Sequence, residues 1–101
     1  MAIGISTEAR ELGVALGRAV RHEPLVQELW VTARLDGVHL WLIVEPATDE
    51  DERRLFSMLD VLDVQFPNAD FQLHVLNPTS YTIDVHDVVP PDAARIALPA
   101  A

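Results

Sequence analysis

A β-hairpin is the strongest constraint in this chain. Residues 28–45, ELWVTARLDGVHLWLIVE, place Asp36-Gly37 between two β-rich apolar runs. That dipeptide favours a two-residue turn with positive φ at both central positions. Such a turn pairs Leu35 with Val38, Ala33 with Leu40, Val31 with Leu42 and Leu29 with Val44, which makes one face a core face. The other face pairs Arg34 with His39, Thr32 with Trp41 and Trp30 with Ile43. Both tryptophans of the protein therefore share one side of one hairpin, and that side is too apolar to be left in water.

The flanking segments read as helices and one further strand. Ser6 and Thr7 are N-cap residues, and Leu12, Ala15, Leu16, Ala19 and Val20 recur at helical spacing over residues 7–22. Gly13 and Gly17 on one side of this helix allow close approach to a sheet. Pro46 stops the hairpin. Thr48 with Asp51 forms a capping box for a second helix, whose apolar stripe is Leu55, Met58, Leu59, Leu62 and Phe66. Pro67 breaks it, and Phe71–Leu76 alternates as a third strand with Phe71, Leu73 and Val75 inward. In the last quarter, residues 82–89 suit a short edge strand; Asp92 suits the cap of one helical turn over residues 93–95, or else Ile96 and Leu98 lie along the core.

The expected fold is α+β: a two-layer α-β-β-α-β sandwich with a mixed three- or four-stranded sheet and two helices on one face. Residues 1–101 form a single domain, with a core over 1–81 and an irregular tail over 82–101 packed on or beside the sheet. A right-handed crossover makes strand three parallel to strand two. The outer face then presents Trp30, Thr32, Arg34, His39, Trp41, Ile43, Gln72 and His74. Either the tail or another chain must cover it, and a self-associating or partner-bound sheet is the expectation.

Charge narrows the partners. The chain carries 16 acids against 7 cations, a net charge of −9. Residues 45–92 hold most of that excess. This field disfavours direct nucleic-acid binding and favours a basic protein. Cysteine and lysine are both absent, which excludes disulfides, thiol catalysis, phosphate-loop lysines and Schiff bases. There is no apolar run long enough for a membrane span and no secretory leader, so the expected location is the cytoplasm.

No constellation assembles an active site. His39 and His74, with Arg34 nearby, are candidates for a metal, acid–base or anion site, but no carboxylate on these strands stands ready to orient an imidazole. Asp84 and His86 share a side of an extended tail, yet zinc needs three or four ligands. The serines lie outside any nucleophile-elbow context and the glycines form no phosphate loop. No catalytic, cofactor-binding or metal-ligating residue is expected, and no cofactor.

The segment HLWLIVEPATDEDERRLFSMLDVLDVQFPNADFQLHVLNP resembles, in its layout, the core of minimal nucleotidyltransferase-like domains. In those domains a strand runs into an acidic loop, a helix of similar length and another strand. The glycine-serine motif and the aspartate pair spaced by one residue are missing here. At the matching places stand Asp36-Gly37-Val38-His39 and then apolar residues. Asp70 and His74 do not replace a two-metal carboxylate set. The resemblance implies a degenerate, non-catalytic relative of the antitoxin or adaptor type, neutralising a basic nucleic-acid-acting partner. The expected function is therefore a non-enzymatic interaction module using the outer sheet face, with a homodimer as another way to cover it. The alternative is a small ligand- or metal-binding or enzymatic subunit using His39, His74 and Arg34.

Overall fold

A computed structural model describes residues 7–99. Helix α1 (Thr7–Ala19) leads through a turn into strands β1 (Val26–Arg34) and β2 (Gly37–Val44). Helices α2 (Asp49–Ser57) and α3 (Leu59–Gln65) follow, then strand β3 (Phe71–Leu76). The tail contains two 3₁₀ turns, Pro78–Ser80 and Val85–Asp87, and a last strand β4 (Ala94–Ile96). The sheet order is β3-β2-β1-β4, with β3 parallel to β2 and both other pairings antiparallel. This is the expected α+β layout, with α1 and the α2–α3 arm as its helical layer.

The core lies between the layers. Leu12 and Leu16 of α1, Leu55 of α2 and Leu62 of α3 are fully buried together with Leu29, Val31, Leu40 and Leu42 of the hairpin. Gly13 matters here. A Cβ on it would stand 2.8 Å from both Val31 Cγ2 and Ile96 Cγ1, so glycine lets α1 sit close against β1 and β4. Gly17 would make only ordinary contacts.

The hairpin differs from expectation in its register. Trp30 faces Trp41 and not Ile43, Thr32 faces His39, and Arg34 faces Gly37. The turn is Leu35-Asp36, and only Gly37 takes a positive φ, 124°. A turn centred on Asp36-Gly37 would force Asp36 into the left-handed region as well, at a cost of about 1–2 kcal/mol. Moving the turn by one position leaves that conformation to glycine alone. The shift in pairing is two residues, so every side chain keeps its face. Leu35, expected in the core, is instead fully exposed at the tip, and Ala33 is exposed beside it.

Other boundaries moved too. Helix α1 ends at Ala19, short of residue 22. The second helix is two, divided at Met58. There the Ser57 hydroxyl bonds the Arg54 carbonyl at 2.5 Å and Met58 N–H bonds Leu55 three residues back. A hydroxyl competing for a helical carbonyl tightens and bends the turn. Its start is as expected: Thr48 Oγ1 accepts from Asp51 N–H while Asp51 Oδ2 accepts from Thr48 N–H.

The tail departs most. Residues 82–89 form no strand and residues 93–95 form no helical turn; Ile96 and Leu98 lie along the core instead. Asp84 caps the turn at Val85–Asp87 by accepting from His86 N–H. The edge strand is β4, which pairs with β1 and buries Ile96 against the core.

Candidate interaction face of the sheet

Alternation puts Trp30, Thr32, His39, Trp41, Ile43, Gln72, His74 and Leu76 on the side of the sheet away from the helices. The tail closes one half of that side. Val85 is buried against Ile43 and Leu76, with Val88, Val89, Trp30 and Trp41 around it. Two polar clamps hold the tail there. His86 Nε2 meets Glu28 Oε2 at 2.8 Å, while Glu28 Oε1 accepts from Trp30 Nε1 at 3.0 Å. Arg34 donates to both oxygens of Asp92, at 2.8 and 2.9 Å. Arg95 of β4 lies 6.0 Å from the centre of the Trp30 ring, a cation–π distance. Trp30, Arg34 and Ile43, expected to meet another chain, therefore meet the tail of their own.

The β2–β3 half carries a different construction. Trp41 stacks on His74 with centroids 4.1 Å apart, and His39 lies beside His74 at 5.1 Å in a nearly parallel plane. The register explains the stack, because Trp41 is directly paired with His74 across the parallel strands. Trp41 Nε1 donates to the hydroxyl of Thr32, which is buried. Trp41, His39 and His74 remain half-buried and Gln72 is exposed.

The two imidazoles are joined in a chain. His39 Nδ1 lies 2.8 Å from His74 Nε2, and His39 Nε2 lies 2.9 Å from Asp36 Oδ1. Sequence reasoning finds no orienting carboxylate for this pair, and Asp36 supplies one. The displaced turn places residue 36 three positions before His39, within reach. With Asp36 ionised and both rings neutral, Asp36 accepts from His39 Nε2–H. His39 Nδ1 then accepts from His74 Nε2–H, and His74 Nδ1 is left with its lone pair. The hydrogen bond to His39 holds the Asp36 carboxyl below its ordinary range. Burial, and then the neighbouring His39, push the His74 imidazole below its ordinary value. The first shift keeps Asp36 ionised as an acceptor, and the second keeps the His74 ring neutral.

Chemically, this half offers an aromatic ring, a hydrogen-bond acceptor at His74 and the amide of Gln72. Among the described residues, no group of three or more His, Asp or Glu side chains could hold a metal ion. Arg34 lies outside this cluster, on Asp92, and Asp84 and His86 are engaged with each other and with Glu28. No helix among them is long and apolar enough to cross a membrane.

The sequence does not single out Glu28 or Val85, and Asp92, expected as a helix cap, instead pairs with Arg34. The signal for Val85 was parity: Leu76 and Ile43 on one face require an apolar cover. Nothing in the sequence marks the pairings of Glu28 and Asp92, whose partners lie 58 positions away. Comparison with family models, with curated proteins and with solved structures finds no match.

Proposed function

We propose that this chain is a non-enzymatic protein-interaction module in the cytoplasm. It docks a basic protein on the Trp41–His74 half of the outer sheet face. One observation carries the reading: Trp41 is only half-buried, in a prearranged stack with His74, while the tail buries the neighbouring Ile43. Rigid aromatic anchors of this kind dominate interface energetics. His39, Gln72 and Thr32 surround or support the anchor, and the net charge of −9 sets the sign of the partner. The antitoxin-like or adaptor role follows from that charge together with the layout resemblance, which is an analogy of fold.

The test compares Trp41→Ala with Trp30→Phe in the tagged full chain purified from the cells that make it. A basic protein should co-purify in stoichiometric amount with the wild type and with Trp30→Phe. Trp41→Ala should weaken its binding by at least about 2 kcal/mol. Equal retention by Trp41→Ala would overturn the assignment of this face. A light-scattering mass of twice 11.2 kDa, lost in Trp41→Ala, would replace the basic partner by a second copy.

The Asp36–His39–His74 chain supports a second reading, a small-ligand or acid–base site ending at His74 Nδ1. Thermal stabilisation by a ligand, abolished in His39→Gln, would favour it over the module.

A further inference from the structure

The helical layer carries a second surface, opposite the sheet face. An open groove of about 770 Å³ runs between α1 and α3. Its floor is apolar: Ala15, Met58 and Phe66 are half-buried, and Val14 and Val61 are exposed at 37% and 45%. Arg10 and Arg18 line one rim with Val14 between them, at the four-residue spacing that aligns side chains along a helix. Arg21, just past the end of α1, continues the row.

Three of the seven arginines line this one groove. With 16 acids and only 7 arginines, an arginine should find a carboxylate easily. Arg34 and Arg54 do, Arg95 packs over Trp30, and Arg53, on α2 outside the groove, forms no ion pair among the described residues. Among the described residues, Arg10, Arg18 and Arg21 form no ion pair with a carboxylate; Arg21 donates to the His22 ring. Glu11 also lines the groove and is the acid closest to this row in sequence. The chain thus concentrates unneutralised positive charge beside its apolar groove while the rest of it is strongly acidic.

From this charge pattern we infer that the α1–α3 groove docks an acidic amphipathic helix of a partner protein. The 13 residues of α1 span about 20 Å, between three and four turns of a docked helix. Leucine-type side chains at i, i+3, i+4 and i+7 fill such grooves, and carboxylates on the flank of the same helix meet the arginine row. Screening confines repulsion by distant acids, because charges separated by more than about 8 Å interact weakly at physiological salt. This inference does not depend on the sheet-face reading, which concerns a basic partner on the other layer.

Fluorescence anisotropy with a labelled helical peptide tests it. The peptide has about 15 residues, with leucines at i, i+3, i+4 and i+7 and glutamates elsewhere; a control carries lysines for glutamates. The full chain should bind the glutamate peptide saturably and the lysine peptide at least about tenfold more weakly. Arg10→Gln/Arg18→Gln/Arg21→Gln should lose about tenfold, and Val61→Asp should lose binding while keeping the wild-type thermal midpoint, since Val61 is exposed. Equal binding of the two peptides, or unchanged binding by the arginine variant, would overturn the inference. So would a dimer broken by Val61→Asp, which would assign the groove to a second copy.

Discussion

Asn77 offers the sharpest test of how this fold is held together. It is 2% exposed and every polar atom of its side chain is used. Oδ1 accepts from Ala47 N–H at 3.1 Å, Thr79 N–H at 3.2 Å and the Thr79 hydroxyl at 2.9 Å. Nδ2 donates to the Ala47 carbonyl and to Glu52 Oε2, both at 2.7 Å. One amide thereby ties the exit of β3 to the β2–α2 loop and starts the tail. Asn77→Ala strips partners from the Ala47 N–H and C=O groups and from Thr79 N–H. Each net hydrogen bond is worth about 1 kcal/mol, and water reaches part of the half-buried Ala47 site, so the expected loss is about 2–4 kcal/mol. Against a typical stability of about 5–15 kcal/mol, that is a large share. Urea unfolding followed by tryptophan fluorescence measures it, with an unchanged m-value as the check that only stability moved. Asn77→Asp keeps one acceptor but replaces the donating amide by a second acceptor, which then faces Ala47 O and the Glu52 carboxylate. Its loss should exceed that of Asn77→Ala at neutral pH and shrink as acid protonates the pair. An Asn77→Ala protein within about 0.5 kcal/mol of wild type would refute the hub.

Three further perturbations follow from the geometry. Gly37→Ala should cost at least about 2 kcal/mol, because φ is 124° and the new Cβ would run into the Asp70 carbonyl; urea midpoints check it. Gly13→Ala gains about 1 kcal/mol of helix propensity but must displace Val31 and Ile96, so it should be destabilising by about 1 kcal/mol net. A more stable protein by thermal denaturation would contradict the tight α1–β1 contact. The Glu28 carboxylate, and then Asp84, raise the His86 imidazole above its ordinary value, while the hydrogen bonds of His86 lower the pKa of Glu28 and Asp84. A raised histidine contributes stability below its unfolded value and loses it as pH rises through the folded one; the lowered carboxylates lose theirs as pH falls. Hydrogen exchange at the amides of β4 should therefore quicken as pH climbs beyond the ordinary histidine range, relative to intrinsic rates, and His86→Ala should abolish that dependence.

The helical caps, the inward stripe and the alternation of the strands were legible because each is a local pattern. Thr48 and Asp51 announce a helix start three residues apart, and period two in FQLHVL marks a strand. Face assignment survived the register error for the same reason, since a shift of two preserves parity. The turn itself was misplaced because Asp-Gly also suits a geometry in which glycine alone takes positive φ. The site was legible in its members and not in its grouping. Trp41, His39 and His74 belong together through a parallel register that no local signal encodes. Trp30, Arg34 and Ile43 are instead covered by a tail whose anchors, Val85 and Asp92, act across more than forty positions. The expected capping role of Ser6 falls on residues 1–6, which lie outside the described residues.

The central claim is that the Trp41–His74 half of the sheet is the docking surface and the tail-covered half is not. Site-specific photo-cross-linking from position 72 in the producing cells, with position 88 as the tail control, tests it most directly. Position 72 should give one discrete adduct, with a basic protein, that disappears in Trp41→Ala and has no counterpart from position 88. Adducts of equal yield from both positions, or none from position 72, would contradict it.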